Sequence, residues 1–264
     1  MPDTLPALRI GIAGLGNLGA GVARLLASGL PGLHLAAASG RDVGGTRERL
    51  AALGLPHVEA VSLATLPDAV DIVVECLTPD AAPSLIDATL AANRSIVVAS
   101  ITALLLAPEL QAQARSPNAR ILAPTGAILG LDVIRAAALG RIDSVTVRTR
   151  KPPASLGADV PADVATCLFE GNALDAVRAY PRNVNVAAAV ALAGIGGERT
   201  QVEIWSDPAV TRNTHEVELE SDTASVRMQV SNLPSPDNPK TSLITAQSIV
   251  AALQSLLVPV RIGS

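Results

Sequence analysis

The chain has 264 residues, 49% of them apolar, which supplies core for one large domain or two small ones and marks a globular protein. Aromatic side chains make up 1% of it and the formal charge is −4, so both the stacking platforms of single-strand binders and the basic footprint of duplex binders are missing. No apolar run reaches the roughly 18 residues of a membrane span, and MPDTLPALRI carries an acid and two prolines instead of a basic leader, so a cytoplasmic protein with no membrane or nucleic-acid partner is expected.

The first half reads as alternating strands and helices. LRIGIAG is a short buried strand, NLGAGVARLLAS a helix and LHLAAAS a second strand; GTRERLAALG, AVDIVVECL, DAAPSLIDATLAAN and SIVVAS continue the pattern. Continuous apolar strands between amphipathic helices predict an α/β fold with a doubly wound parallel sheet, covered on both faces and joined by right-handed crossovers, over residues 1–124.

Between the first strand and the first helix, GIAGLGNLGAG sets Gly14, Gly16 and Gly19 in GxGxxG spacing. Gly14 permits a tight turn, Gly16 lets a pyrophosphate approach the backbone, Gly19 lets helix pack on strand, and the helix N-terminus favours the phosphates. Asn17 and Leu18 lie inside that loop and are expected to touch the dinucleotide. At the tip of the second strand, Ser39 and Arg41 stand where a small residue and an Arg accommodate a 2′-phosphate, which reads as NADP, with NAD also open if Asp42 turns inward.

The segments after the later strands, ECLTPDA and ASITAL, place Cys76, Thr78, Ser100 and Thr102 toward the nicotinamide side. Cys76 has two readings, a thiolate nucleophile of an aldehyde-oxidising enzyme or a small packed residue, and the second is favoured. Cys167 in ATCLFEG has apolar neighbours and reads as packing. The two cysteines have no CxxC spacing, the three histidines (His34, His57 and His215) are scattered, and HExxH is absent, so no metal site is expected.

After about residue 125 the strands SVTVRTRKP, TQVEIWSD, THEVELES and ASVRMQVSN alternate, predicting a mixed or antiparallel sheet with one solvated face in a second domain over 125–238. LGLDVIRAAALG, NALDAVRAY and NVAAAVALAGIG read as helices between them. NPKTSLITAQSIVAALQSLLVPV reads as a polar loop followed by an amphipathic helix from Thr241 or Ser242. Polar residues gather in APTGAILGLD, in YPRNVNV with Asn183 and Asn185, and in NLPSPDNPKTS, where turns and caps are the plain alternative to a site. His215, just ahead of an alternating strand, reads from spacing alone as a strand-edge histidine somewhat more readily than as a functional one.

PTGAILGLD, TRKPP, LFEGNALDAVRAYPRNVNVAAAVALAGIG, RTQVEIWSDP, RNTHEVELE and NLPSPDNPKTS, in this order and behind the glycine fingerprint, resemble the L-aspartate dehydrogenase family. The resemblance implies NAD(P)-dependent oxidative deamination of L-aspartate to iminoaspartate, which hydrolyses to oxaloacetate and ammonia or feeds NAD biosynthesis, and the reverse reductive amination. It implies that His215 is catalytic and that Ala127 and Asn185 contact the dinucleotide. A Rossmann domain, a substrate-binding and dimerising α/β domain, and a C-terminal helix from about residue 239 that returns to the first domain follow from it as well. Two positions depart from the family's pattern: Gly40 where an acid favours NAD, and Leu129 where a small residue is expected.

The chemistry gives His215 a task, since the amine must lose a proton before hydride leaves Cα, and a group titrating near neutrality suits that step and the activation of water. Two substrate carboxylates require cationic or amide donors, for which Lys151, Arg182, Asn213 and Lys240 are candidates. An imine or semialdehyde reductase on the same scaffold, and a dinucleotide-sensing protein without turnover, are the other readings.

Overall fold

In the computed structural model, which describes residues 7–114, 116, 118–156, 160–181, 184–235 and 238–260, the chain forms two compact units. One comprises Met1–Pro124 with Ala246–Ile262 and the other Thr125–Thr245 with the last two residues.

The apolar runs of the first half become β1 (Leu8–Ala13), β2 (Leu33–Ser39), β3 (Glu59–Ala60), β4 (Ile72–Glu75), β5 (Ser95–Val98) and β6 (Ile121–Leu122). They form one parallel sheet in the order β3-β2-β1-β4-β5-β6. Helices α1 (Asn17–Ala27), α2 (Val43–Ala52), α3 (Leu66–Ala69), α4 (Ala82–Ala91), α5 (Ile101–Leu106) and α6 (Pro108–Gln113) connect the strands. Because helices cover both faces, Ile10, Ile12, Val73, Val74, Ile96 and Val97 are all buried, consecutive residues on the central strands included. The chain runs outward from β1 in both directions, and that reversal opens a crevice beyond the carboxyl ends of β1 and β4.

The second unit contains α7 (Leu131–Ala137), β7 (Ile142–Lys151), β8 (Thr166–Asn172), α8 (Ala173–Ala179), α9 (Asn185–Ala193), β9 (Thr200–Ser206), β10 (Asn213–Ser221) and β11 (Ser225–Asn232). The sheet order is β11-β10-β7-β9-β8, with β7 and β9 parallel and every other pair antiparallel, so the sheet is mixed. Alternation sorts its two faces: Val145, Val147, Val202, Ile204, Val217 and Leu219 are buried. On the opposite face Arg148 donates to Glu203 at 2.8 and 2.9 Å and to Glu216 at 3.4 Å, both of them its cross-strand partners. The Ala-rich α9 packs on β7 and β9 and is buried almost all round.

Two sequence expectations fail locally. NPKTS is a strand, β13 (Asn238–Ser242), paired antiparallel with β12 (Pro234–Ser235), and the last helix, α10 (Leu243–Gln254), begins only after it. Cys167 is exposed rather than packed, because β8 is the sheet's edge strand and a register irregularity beside Cys167 turns it outward. From Ala246 onward α10 belongs to the first unit, where Ile249, Val250 and Leu253 join Val22, Leu26 and Leu35 in one core.

Candidate active site

The glycine loop is clamped at the crevice of the first unit. Gly14 N donates to Ser39 O at 2.7 Å and Cys76 N donates to Ala13 O at 2.8 Å, so the turn is tied to the ends of both flanking strands. Gly14 has φ +93, and a Cβ there would lie 2.5 Å from the Cys76 carbonyl oxygen. A Cβ on Gly19 would run into the carbonyl of Gly14, so α1 can start this close to β1 only with glycine at that place. At Gly16 the Cβ position is open, with nothing within 4 Å. That opening, above a helix N-terminus with no side-chain cap, suits a pyrophosphate held by backbone N–H groups. A cavity of about 820 Å³ extends from it, lined by Gly14, Gly16, Arg41, Arg49, Cys76 and Thr78 among others. Its size is that of a cofactor site, and these residues fit a dinucleotide.

The other residues expected there are placed differently. Asn17 is exposed at the first turn of α1, while Leu18 packs against the core. Ser39 is fully buried at the tip of β2 and its hydroxyl has no hydrogen-bond partner. Asp42 lines the cavity as well, but it also caps α2, with Oδ1 accepting from Gly45 N at 2.7 Å. Arg49 was not foreseen. Its Nε donates to Leu15 O at 3.3 Å, and its placement three residues after Thr46, which also lines the cavity, is the helical spacing that could have flagged it.

A second unforeseen residue organises the back of the crevice. Glu75 is fully buried at the end of β4, where its carboxylate accepts from Leu77 N at 2.6 Å, Ser100 N at 2.9 Å and Ser100 Oγ at 3.0 Å. The signal was an acid closing the apolar run DIVVE. Ser100 and Thr102 are both buried, and Ser100 spends its hydroxyl on Glu75 instead of lining the cavity. Burial pushes the Glu75 carboxyl above its ordinary range, against the pull of those hydrogen bonds. Burial, with the Glu75 charge beside it, also raises the Cys76 thiol well above its ordinary range, so the thiolate that an aldehyde-oxidising nucleophile needs is disfavoured.

In the second unit the buried face of the sheet changes character at one end. His34 and His57 are exposed, but His215 is 6% exposed and its Nδ1 lies 3.0 Å from the hydroxyl of Thr149, its cross-strand partner. Burial, and then the charge of Lys151, lowers the His215 pKa to about 3, so the imidazole is neutral at neutral pH rather than titrating there as expected from sequence. The unfolded chain, with an ordinary value of 6.5, takes up this proton first, so stability falls as pH falls from about 6.5 toward 3. In His215→Asn the loss of unfolding free energy across that window should be smaller, as measured by urea titration at a series of pH values.

One step farther along the same face lie Lys151, Asn213, Ser206 and Asn232, all buried. Asn232 Nδ2 donates to Ala127 O at 2.9 Å, which ties the TGA segment to the sheet. Asn185 opens α9 and is half-buried, whereas Arg182, Asn183 and the side chain of Lys240 lie outside the described residues. Leu129 is exposed, and the left-handed positions of that loop are Gly126 (φ +64) and Gly130 (φ +73), so the larger side chain meets no backbone restriction.

The family model for the aspartate dehydrogenase C-terminal domain matches residues 132–256, and that for the NAD-binding domain of homoserine dehydrogenase matches residues 14–124. The chain is 46% identical to L-aspartate dehydrogenase 3 of Bordetella bronchiseptica, across 97% of this chain and 98% of that one. It is 40% identical to L-aspartate dehydrogenase of Bradyrhizobium diazoefficiens, across 97% and 94%. The crystal structure of aspartate dehydrogenase from Thermotoga maritima superposes with a TM-score of 0.79 at 28% identity, covering 97% of this chain and 99% of that one.

Proposed function

Because the chain belongs to the L-aspartate dehydrogenase family, we propose that its turnover of L-aspartate rests on His215 as acid/base and on NADP(H) as the preferred dinucleotide. The protein is a nicotinamide-dependent oxidoreductase. The observation that carries the role of His215 is its burial as a neutral base held at Nδ1 by Thr149. With Nδ1–H donating to Thr149 Oγ1, the lone pair of Nε2 is left for the substrate.

The reaction breaks the Cα–H bond of aspartate and forms a C=N bond. His215 takes a proton from the substrate ammonium, freeing the nitrogen lone pair that becomes the second bond of the imine. The bound nicotinamide supplies the acceptor for the hydride that leaves Cα. Once the proton taken from the ammonium has passed to solvent, the neutral His215 takes a proton from water as its oxygen adds to the iminium carbon and returns it to the nitrogen, so that the C–N bond breaks, ammonia leaves with the hydroxyl proton as ammonium, and oxaloacetate remains. In reductive amination the same residue works in reverse order. The test is the change in reduced-nicotinamide absorbance with oxaloacetate, ammonia and each dinucleotide in turn; no turnover with either would sink the proposal.

The preference for NADP is supported by two arginines, Arg41 and Arg49, on the cavity wall and by the engagement of Asp42 as a helix cap. A ribose 2′-phosphate suits two guanidinium groups, whereas the acid to which a ribose 2′-hydroxyl would donate, Asp42, already gives one carboxylate oxygen to Gly45 N. Arg41→Ala should lower kcat/KM for NADP by about tenfold or more and leave that for NAD within a factor of about two; an unchanged ratio would refute the assignment. Cytoplasmic operation as a homodimer through the second unit, as the family resemblance implies, completes the proposal. Sedimentation at twice the mass of one chain is the expected result.

A further inference from the structure

We infer that the transverse row Asn232–Asn213–Lys151–Ser206 is the carboxylate-binding floor of the substrate site, and that Lys151 and Ser206 select a dicarboxylic amino acid. This deepens the reading of His215 as acid/base and rests on it.

Strand register establishes the row. Asn213 pairs with Asn232 across β10 and β11, and Lys151 pairs with Ser206 across β7 and β9. Thr214 pairs with Arg150, so Asn213 and Lys151 fall opposite each other at the next step. The neighbouring rung is Val230, His215, Thr149 and Ile204 by the same pairings, two residues back on every strand. Both rungs therefore point to one face, separated by roughly 6.7 Å, two strand residues. A carboxylate one or two carbons from the amine-bearing carbon spans that interval when the amine sits at His215.

Composition of the row is the second argument. Farther along the same face the residues are Val145, Val147, Val202, Val217 and Leu219, all buried and apolar. The chain then places four polar side chains on the next buried rung beyond His215, where apolar packing would have served stability. Ser206 is fully buried and its hydroxyl has no hydrogen-bond partner, an arrangement that costs free energy unless a ligand atom accepts from it. Lys151 brings a buried ammonium beside the imidazole, close enough to lower its basicity. Asn213 adds an amide, while Asn232 serves as a strut through its bond to Ala127 O. A cation, a hydroxyl and an amide in one line match a carboxylate pair. The arrangement also couples binding to catalysis, since a substrate carboxylate beside Lys151 offsets the charge that suppresses proton uptake by His215.

Succinate, which has two carboxylates and no amine to oxidise, isolates this recognition from chemistry. Calorimetric titration of succinate into the NADP-loaded enzyme should show binding by the wild type. It should be weaker by about tenfold in Ser206→Ala and by about a hundredfold in Lys151→Met, with propionate weak in all three. The aspartate KM should rise in parallel, and the NADP Kd should stay within a factor of about two. Ser206→Ala removes no internal hydrogen bond, so its thermal midpoint should match the wild type and a folding defect cannot imitate the result. Wild-type succinate affinity in both variants overturns the row, as does failure of the wild type to bind succinate. If the wild type does not turn over aspartate while the variants lose succinate, the dehydrogenase reading fails and the carboxylate floor stands.

Discussion

His215→Ala should lower kcat for aspartate deamination by about 10³-fold, the middle of the range for loss of a positioned acid/base. The NADP Kd should remain within a factor of about two, because the glycine loop and Arg41 belong to the first unit and His215 to the second. Steady-state absorbance with saturating substrates, together with fluorescence titration of NADPH, measures both. The same loss should appear in reductive amination, since one group serves both directions. Full turnover in His215→Ala would remove the histidine from the mechanism, and loss of NADPH binding would reassign it to the cofactor. Thr149→Val gives a milder companion, because it leaves the imidazole in place but removes the partner of Nδ1.

The second large effect is expected at Gly19. In Gly19→Val the new Cβ must displace the Gly14 carbonyl, which is backbone and cannot rotate away as a side chain would. Either α1 retreats from β1 or the glycine turn opens, and each outcome spoils the row of N–H groups that holds the pyrophosphate. Dinucleotide affinity should fall by at least about a hundredfold, and stability by about 1–3 kcal/mol as for other overpacked sites. Fluorescence titration of NADPH and urea unfolding monitor the two losses. Gly16→Ala is the contrast: its Cβ enters open space, so it should fold normally and interfere only with the phosphate.

Much of this was legible in the sequence, for physical reasons that differ between the units. Strands buried on both faces must be apolar throughout, so LRIGIAG and SIVVAS announced a parallel sheet, and GxGxxG fixed the turn by sterics alone. In the second sheet, alternation showed which residues share a face but not which strands are neighbours. The rung joining His215 to Thr149 and the next joining Lys151 to Ser206 arise from pairings between residues more than fifty positions apart, and no local pattern encodes them. Asp42 was ambiguous because the same residue type caps helices and binds ribose; in the fold it caps α2 through Gly45 N while also standing on the cavity wall. Glu75 passed unnoticed since its partners Leu77 and Ser100 meet it only where two strands end together. Cys167 misled for the converse reason, as its apolar neighbours said nothing about its being on an edge strand.

The absence of a side chain at position 40 has a bearing on how cofactor choice could be redesigned. An acid introduced there to attract NAD would bring a Cβ to 2.8 Å from the Thr46 hydroxyl. That hydroxyl is not free to swing aside, because it donates to the Asp42 carbonyl at 2.6 Å in the first turn of α2. Positions 40 and 46 thus behave as one unit of variation, and a switch of dinucleotide preference has to pass through a double exchange in which position 46 becomes smaller before position 40 can carry a charge.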